Sequence, residues 1–294
     1  MKNENSIKAL IQLIDDPDEH IFEHVRDQLM SHGTKVISFL ENSWETDDYG
    51  LVFQSRIETI IHDIQFNVVK DELVLWTNST KKDLLEGALI IAKYQYPSLN
   101  EDIIREKIAI IRQDIWLEMN NTQTSFEKVR IFNRIFFEKH QFKGNSKNYH
   151  SPNNSFINKV FETKKGNPLS LSLIYSIIAQ SLDLPIYGIN LPNHFVLAYL
   201  DENNSIPKDK KESQHGVLFY INPFSKGGIF DKYEIDAFLE NLDKNKTREF
   251  YEPCSNSAII IRMITNLIAS FQQSGSSKKV EELIELRDCF GLTL

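Results

Sequence analysis

The sequence predicts a mostly helical α+β protein: an N-terminal helical region, a core built round a small antiparallel sheet, and a C-terminal helix pair. Three observations predict it. Apolar residues recur at three- and four-residue spacing over the first 160 positions or so. Three short apolar runs, 186–191, 194–200 and 216–221, follow a helical stripe that Pro185 stops. The chain then returns to helical spacing, interrupted at Gly275.

The elements follow in order. Asp15, Asp16, Pro17 and Asp18 make a helix-start signal, and Ile21, Phe22, Val25 and Leu29 continue it at helical spacing. A second apolar stretch opens at 35–40, after Gly33. Ile57, Ile60, Ile61, Ile64 and Val68 predict a long amphipathic helix over 51–75. Leu84, Leu85, Ala88, Ile91 and Ala92 predict another before Pro97, and Ile103, Ile104, Ile108, Ile111 and Ile115 one over 100–119. Val129, Ile131, Phe132, Ile135 and Phe136 mark one more. The segment 144–156 is polar and turn-rich, as a connecting loop would be. At Asn167-Pro168 a capping residue meets a proline suited to the first helical turn, and Leu171, Ile174, Ile178 and Leu182 follow. One helix followed by three strands favours antiparallel pairing. Between the second and third strands, 201–214 is a polar hairpin excursion, whose Lys208, Lys210 and Lys211 alternate with acids and read as solvated. A turn at 222–228 and a short helix at 234–242 follow, and then two antiparallel helices on either side of Gly275.

Length and composition narrow the function. A chain of 294 residues is long enough for about two domains and a sizeable core. Its 33 basic and 41 acidic residues leave a net charge of −8, which argues against a protein built to coat nucleic acid or anionic lipid. The two cysteines, Cys254 and Cys289, make neither a disulfide framework nor a thiolate metal site. His20 and His24 share a helix face but have no third ligand arranged with them. No metal and no cofactor are expected. With no secretory signal and no apolar run of membrane-spanning length, a cytoplasmic location with no membrane partner is expected.

The chemistry concentrates in three segments: GNPLSLSLIY from Gly166, LPNHFVLAY from Leu191, and INPFSKGG from Ile221. A helix N-terminus facing two strands is the geometry of papain-like thiol chemistry. The nucleophile sits in the first turn, a strand histidine takes its proton, and an Asp or Asn fixes the imidazole. His194 and Asn222 suit the second and third roles, but no cysteine lies near Pro168. Ser170 and Ser172 are the serines that could stand in for it, and Ser170 also suits a helix cap. Asn148, Tyr149, Asn167, Asn193, Phe195 and Phe224 are the candidate cleft residues.

With DLLEGALIIAKYQYPSL, FKGNSKNYHSPNNSFINKV, and RMITNLIASF near the end, these segments carry a resemblance. From about Asp83 onward the chain resembles the bacterial transglutaminase-like proteins with C-terminal tetratricopeptide-type helices, some of them regulators of invasion-gene transcription. A relative of the domain occurs in a eukaryotic F-box protein. The resemblance implies three regions: N-terminal helices over 1–80, a papain/transglutaminase-like core over 81–250, and a tetratricopeptide-like pair over 251–294. It implies that Gly166 is the family glycine, and that Pro168, His194 and Asn222 stand where the catalytic cysteine, histidine and aspartate stand in active members. Proline supplies neither a nucleophile nor an N–H. The family's repeat region is also longer than one helix pair, so a groove of stacked repeats is not expected. The expectation is a non-catalytic, protein-interacting or regulatory scaffold, its oligomeric state left open. Two alternatives remain: a hydrolase or amide-transfer enzyme using His194 with a serine or water, and a small-molecule or peptide binder in the same cleft.

Overall fold

The computed structural model describes residues 2–46, 50–201 and 215–291. The expected lysine-rich hairpin tip at Lys208, Lys210 and Lys211 lies outside them. The chain divides into two compact units, Met1–Glu72 and Leu73–Leu294.

The first unit is helical: α1 (Lys2–Gln12), α2 (Glu19–Ser31), α3 (Ile37–Thr46) and α4 (Leu51–Asn78), the unit boundary falling within α4. Asp18 caps α2 by accepting the His20 N–H, as the acidic start signal requires. Ile14, Leu29, Val36, Leu40, Phe53, Ile57 and Ile60 are fully buried together. Arg56 ties the α1–α2 connection, donating from Nη1 to the carbonyls of Ile14 and Asp16, both at 2.7 Å.

The second unit opens with α5 (Leu84–Gln95), α6 (Glu101–Trp116) and α7 (Ser125–Asn133), which widens into a π-helical turn over Arg134–Lys139. There follow β1 (Lys143–Gly144), α8 (Ile157–Thr163), β2 (Lys165–Gly166) and α9 (Pro168–Gln180). The sheet strands are β3 (Ile186–Leu191), β4 (His194–Leu200), β5 (Val217–Asn222) and β6 (Gly228–Phe230), and α10 (Lys232–Asn241), α11 (Asn256–Gln273) and α12 (Ser277–Asp288) complete the unit. The sheet order is β3-β4-β5-β6, antiparallel throughout, so the fold is the expected α+β with a small antiparallel sheet and a C-terminal helix pair.

Three pieces differ from the sequence reading. A fourth strand, β6, folds back on β5 after the Gly227-Gly228 turn. β1 and β2 form a two-residue parallel pair, and α8 lies between them. Elements this short carry too few residues to show a period.

Helix α9 is the centre of the unit. It packs on β3, β4 and the turn after β5, with α6, α8 and α11 around it. Its apolar residues are buried all round, the pattern of a helix enclosed by neighbours. Below the site, Tyr175 of α9 stacks on Phe132 at 3.8 Å between centroids, and its hydroxyl donates to Asn133 Oδ1 at 3.0 Å. Asn133 Nδ2 in turn donates to the Gly227 carbonyl at 2.8 Å. Gly227 has φ +73°, and a Cβ there would lie 2.1 Å from Asn133 Oδ1, so this turn needs glycine for both backbone and space. Through Asn133, the helix and the turn after β5 are held to one another.

Candidate functional site

The start of α9 is fixed by a capping box. Asn167 Oδ1 accepts the Ser170 N–H at 2.8 Å, and Ser170 Oγ accepts the Asn167 N–H at 3.0 Å. Asn167 Nδ2 also donates to Ser155 Oγ at 2.9 Å, and all three residues are buried. The close fit explains Gly166: a Cβ there would lie 2.5 Å from Ser170 Oγ. Pro168 then occupies the first helical position, where its missing N–H costs no hydrogen bond.

The strand side is set by a hairpin. Leu191 pairs with His194, and between them Pro192 and Asn193 make the turn, Asn193 taking φ +57°. His194 therefore starts β4 at the sheet's end, half-buried, its ring centroid 6.2 Å from that of Phe238. Continuing the β4–β5 register puts Asn222 across from Val196, diagonal to His194 on one face. The Asn222 side chain acts on the His194 ring and favours its protonated form. Asn222 is held in turn, its Oδ1 accepting the N–H groups of Phe224 at 3.1 Å and Ser225 at 3.3 Å. Burial lowers the His194 pKa from the ordinary histidine value; Asn222 works in the opposite direction, and the nearby Arg262 charge adds to the lowering. The ring is thus neutral at pH 7.

Between these two sides lies a cleft of about 100 Å³. Of the expected residues it brings together Tyr149, Asn167, Pro168, Asn193, His194 and Phe195. Asn148 and Phe224 were expected in the cleft and are not among its lining residues. Asn148 is exposed, and its carbonyl accepts from Asn154 Nδ2 at 2.7 Å. Phe224 packs where a Gly144 Cβ would stand and meets Tyr149 edge-on at 5.9 Å, supporting the rim from behind. Asn222 stands behind His194 and is not among the lining residues.

The two serines are placed differently from a nucleophile. Ser170 Oγ is engaged with the backbone of Asn167, and its residue faces a separate small cavity beside Met263. Ser172 is fully buried, and its hydroxyl has no hydrogen-bond partner. Neither lines the cleft. The thiols are also elsewhere. Cys254 donates its backbone N–H to the Gly188 carbonyl, and burial pushes its thiol up to about 11. Among the described residues no cluster of three or more His, Cys, Asp or Glu side chains could hold a metal ion. His24 is hydrogen-bonded to Gln28 on its own helix.

Sequence reasoning missed the far wall, which α11 supplies through Arg262, Asn266 and Ser270. A signal was present: Arg262 and Asn266 are four apart and interrupt the apolar run IIIRMITNLIASF.

The family comparison falls on the same segments. A model of the transglutaminase-like superfamily matches residues 102–265, which include α9, His194, Asn222 and Arg262. The chain belongs to the transglutaminase-like superfamily. It is 28% identical over 206 residues to a UPF0162 protein of Xylella fastidiosa, covering 66% of this chain and 69% of that protein. A UPF0162 protein of Pasteurella multocida is 31% identical over 165 residues, 56% of this chain and 55% of its own length. F-box only protein 21 of Mus musculus is 24% identical over 158 residues, 54% of this chain but only 24% of the mouse protein. No solved structure matches the chain. The transglutaminase-like core thus accounts for the helix, the hairpin and the His–Asn pair, and its match extends into α11, which supplies the third wall.

Proposed function

We propose that this protein is a non-catalytic transglutaminase-like scaffold that binds another protein through the cleft between α9, β4 and α11. The observation that carries the reading is the first turn of α9. The resemblance puts Pro168 where the nucleophile of an acyl-transfer site would stand, and the hydroxyl in the same turn, Ser170, is bound into the cap. The cleft lining holds no thiol, and its hydroxyls are those of Tyr149 and Ser270, the latter donating to the Asn266 carbonyl at 2.9 Å. The similarity to an F-box protein, 24% identical over 158 residues, supports an interaction role. In this reading the C-terminal pair α11–α12 is the tetratricopeptide-like part, and it shapes one wall of the cleft. The protein acts in the cytoplasm.

The test is turnover of thioester, ester and amide substrates by purified wild type and His194→Ala. Equal background rates support the reading, and His194-dependent turnover overturns it. Alongside, photocrosslinking from the Tyr149 position in cells captures a protein partner whose yield falls when Asn193 is changed to a bulky residue. Turnover would favour the second reading, a hydrolase using His194 and water; what favours it is the half-buried imidazole on the cleft wall, which burial keeps toward its neutral form.

A further inference from the structure

Arg262 is the feature of the cleft that the family geometry leaves unexplained. It is half-buried on α11, and burial disfavours its charge. Among the described residues it forms no ion pair, and the lining of the cleft holds no Asp or Glu at all. In a chain with 41 acidic side chains and a net charge of −8, a sheltered guanidinium without a carboxylate is conspicuous. Arginine remains charged at any physiological pH, so the cost of sheltering it is permanent unless an anion is supplied.

Its donors are also divided in a telling way. Nη1 donates to Asn190 Oδ1 at 3.1 Å and to the Leu191 carbonyl at 3.4 Å, which fixes the side chain to the end of β3. The hydrogens on Nε and Nη2 remain. These two nitrogens form the parallel fork that matches both oxygens of a carboxylate. The neighbours suit a small, singly charged, planar group: neutral His194 adds no second charge, and Asn193 and Asn266 offer amide donors. A space of about 100 Å³ is well below that of a drug-sized pocket and admits the tip of a chain rather than a whole metabolite.

We propose that Arg262 is the anchor of a carboxylate-binding site in this cleft, which takes a carboxylate presented by a polypeptide, either its C-terminus or an acidic side chain. The proposal deepens the binding role inferred above and shares with it only the premise that the bound group stays unreacted. Lower pH adds a proton to His194 and brings a second positive charge into the cleft, so carboxylate binding tightens on acidification. Arg262, His150 and Tyr149 are the other charged or titratable groups on its walls.

The test is an NMR titration of the full chain at neutral pH, following the Arg262 Nε–H and the His194 ring. Four probes are compared: N-acetylglycylglycine, its C-terminal amide, N-acetylglutamate α-amide, and inorganic phosphate. The expected result is a saturable shift with one or both carboxylates and none with the neutral amide. Strength of response to the dipeptide against the glutamate derivative assigns the source as a chain terminus or a side chain. Arg262→Gln weakens the response by about tenfold or more, and Arg262→Lys, which keeps the charge but loses the fork, also weakens it. No carboxylate response, an equal response to the amide, or a stronger response to phosphate overturns the proposal, and these wild-type comparisons hold even if a variant fails to fold. Carboxylate binding together with His194-dependent turnover leaves this site standing and removes the non-catalytic reading. Neither binding nor turnover removes the site alone.

Discussion

The two sides of the cleft are built to different ends. On the strand side, His194 is half-buried and under the influence of Asn222, and Asn222 is itself pinned by two backbone N–H groups. That is the support an imidazole base needs. On the helix side, the side chains of Asn167 and Ser170 are spent on holding the first turn: Asn167 on Ser170 and Ser155, Ser170 on Asn167. The strand side brings an imidazole to the cleft, whereas the helix side brings Asn167, Pro168 and Leu169. What the contrast teaches is that both walls of a transglutaminase-like cleft stay packed with proline as the first helical residue, because proline suits that position.

The largest expected effect comes from breaking the link between the two sides. Gly227→Ala forces a Cβ into Asn133 at a positive φ, and should cost roughly 3 kcal/mol of stability in chemical denaturation. Next is Asn222→Ala, which strips two turn N–H groups and His194 of their partner; a loss of about 2 kcal/mol is expected, with a shift in the His194 ring titration followed by NMR. Ser170→Ala tests the helix side. It should cost about 1 kcal/mol as a lost cap contact and leave the response of the cleft to carboxylates unchanged. A larger functional than structural effect of this variant would break the comparison.

The smallest effect is the pH dependence. His194 and His140 both have folded-state pKa values lowered, chiefly by burial. The unfolded chain therefore binds more protons as pH falls below about 6.5, and stability declines there. The decline levels off once pH has passed the lowered folded-state values. His194→Gln should flatten part of that slope, which denaturation at a series of pH values reads directly.

Much of this was legible in the sequence, for reasons that particular residues make plain. Asn167-Pro168 announced a helix start because cap and first-turn chemistry are local. His194 and Asn222 could be placed on neighbouring strand ends because alternation and turn residues fix where short strands stop. The π-helical turn at Arg134–Lys139 and the β1–β2 pair left no trace, since neither has a period of its own. The polar loop at 144–156 showed exposure but not direction, which is why Asn148 was expected in the cleft while only Tyr149 and His150 of that stretch reach it. Arg262 was hidden for the opposite reason. Its helix has so clear an apolar face that the one charge within it passed as surface, until the fold brought it opposite His194.

The central claim is that no side chain in this cleft can form an acyl bond, and intact-mass and peptide-mapping mass spectrometry after exposure to serine- and thiol-directed acylating probes tests it most directly. The account predicts no label on Ser170, Ser172 or any cleft residue, and the same background in His194→Ala. A stable adduct mapped to one of those residues, formed by the wild type and lost with His194, would contradict it.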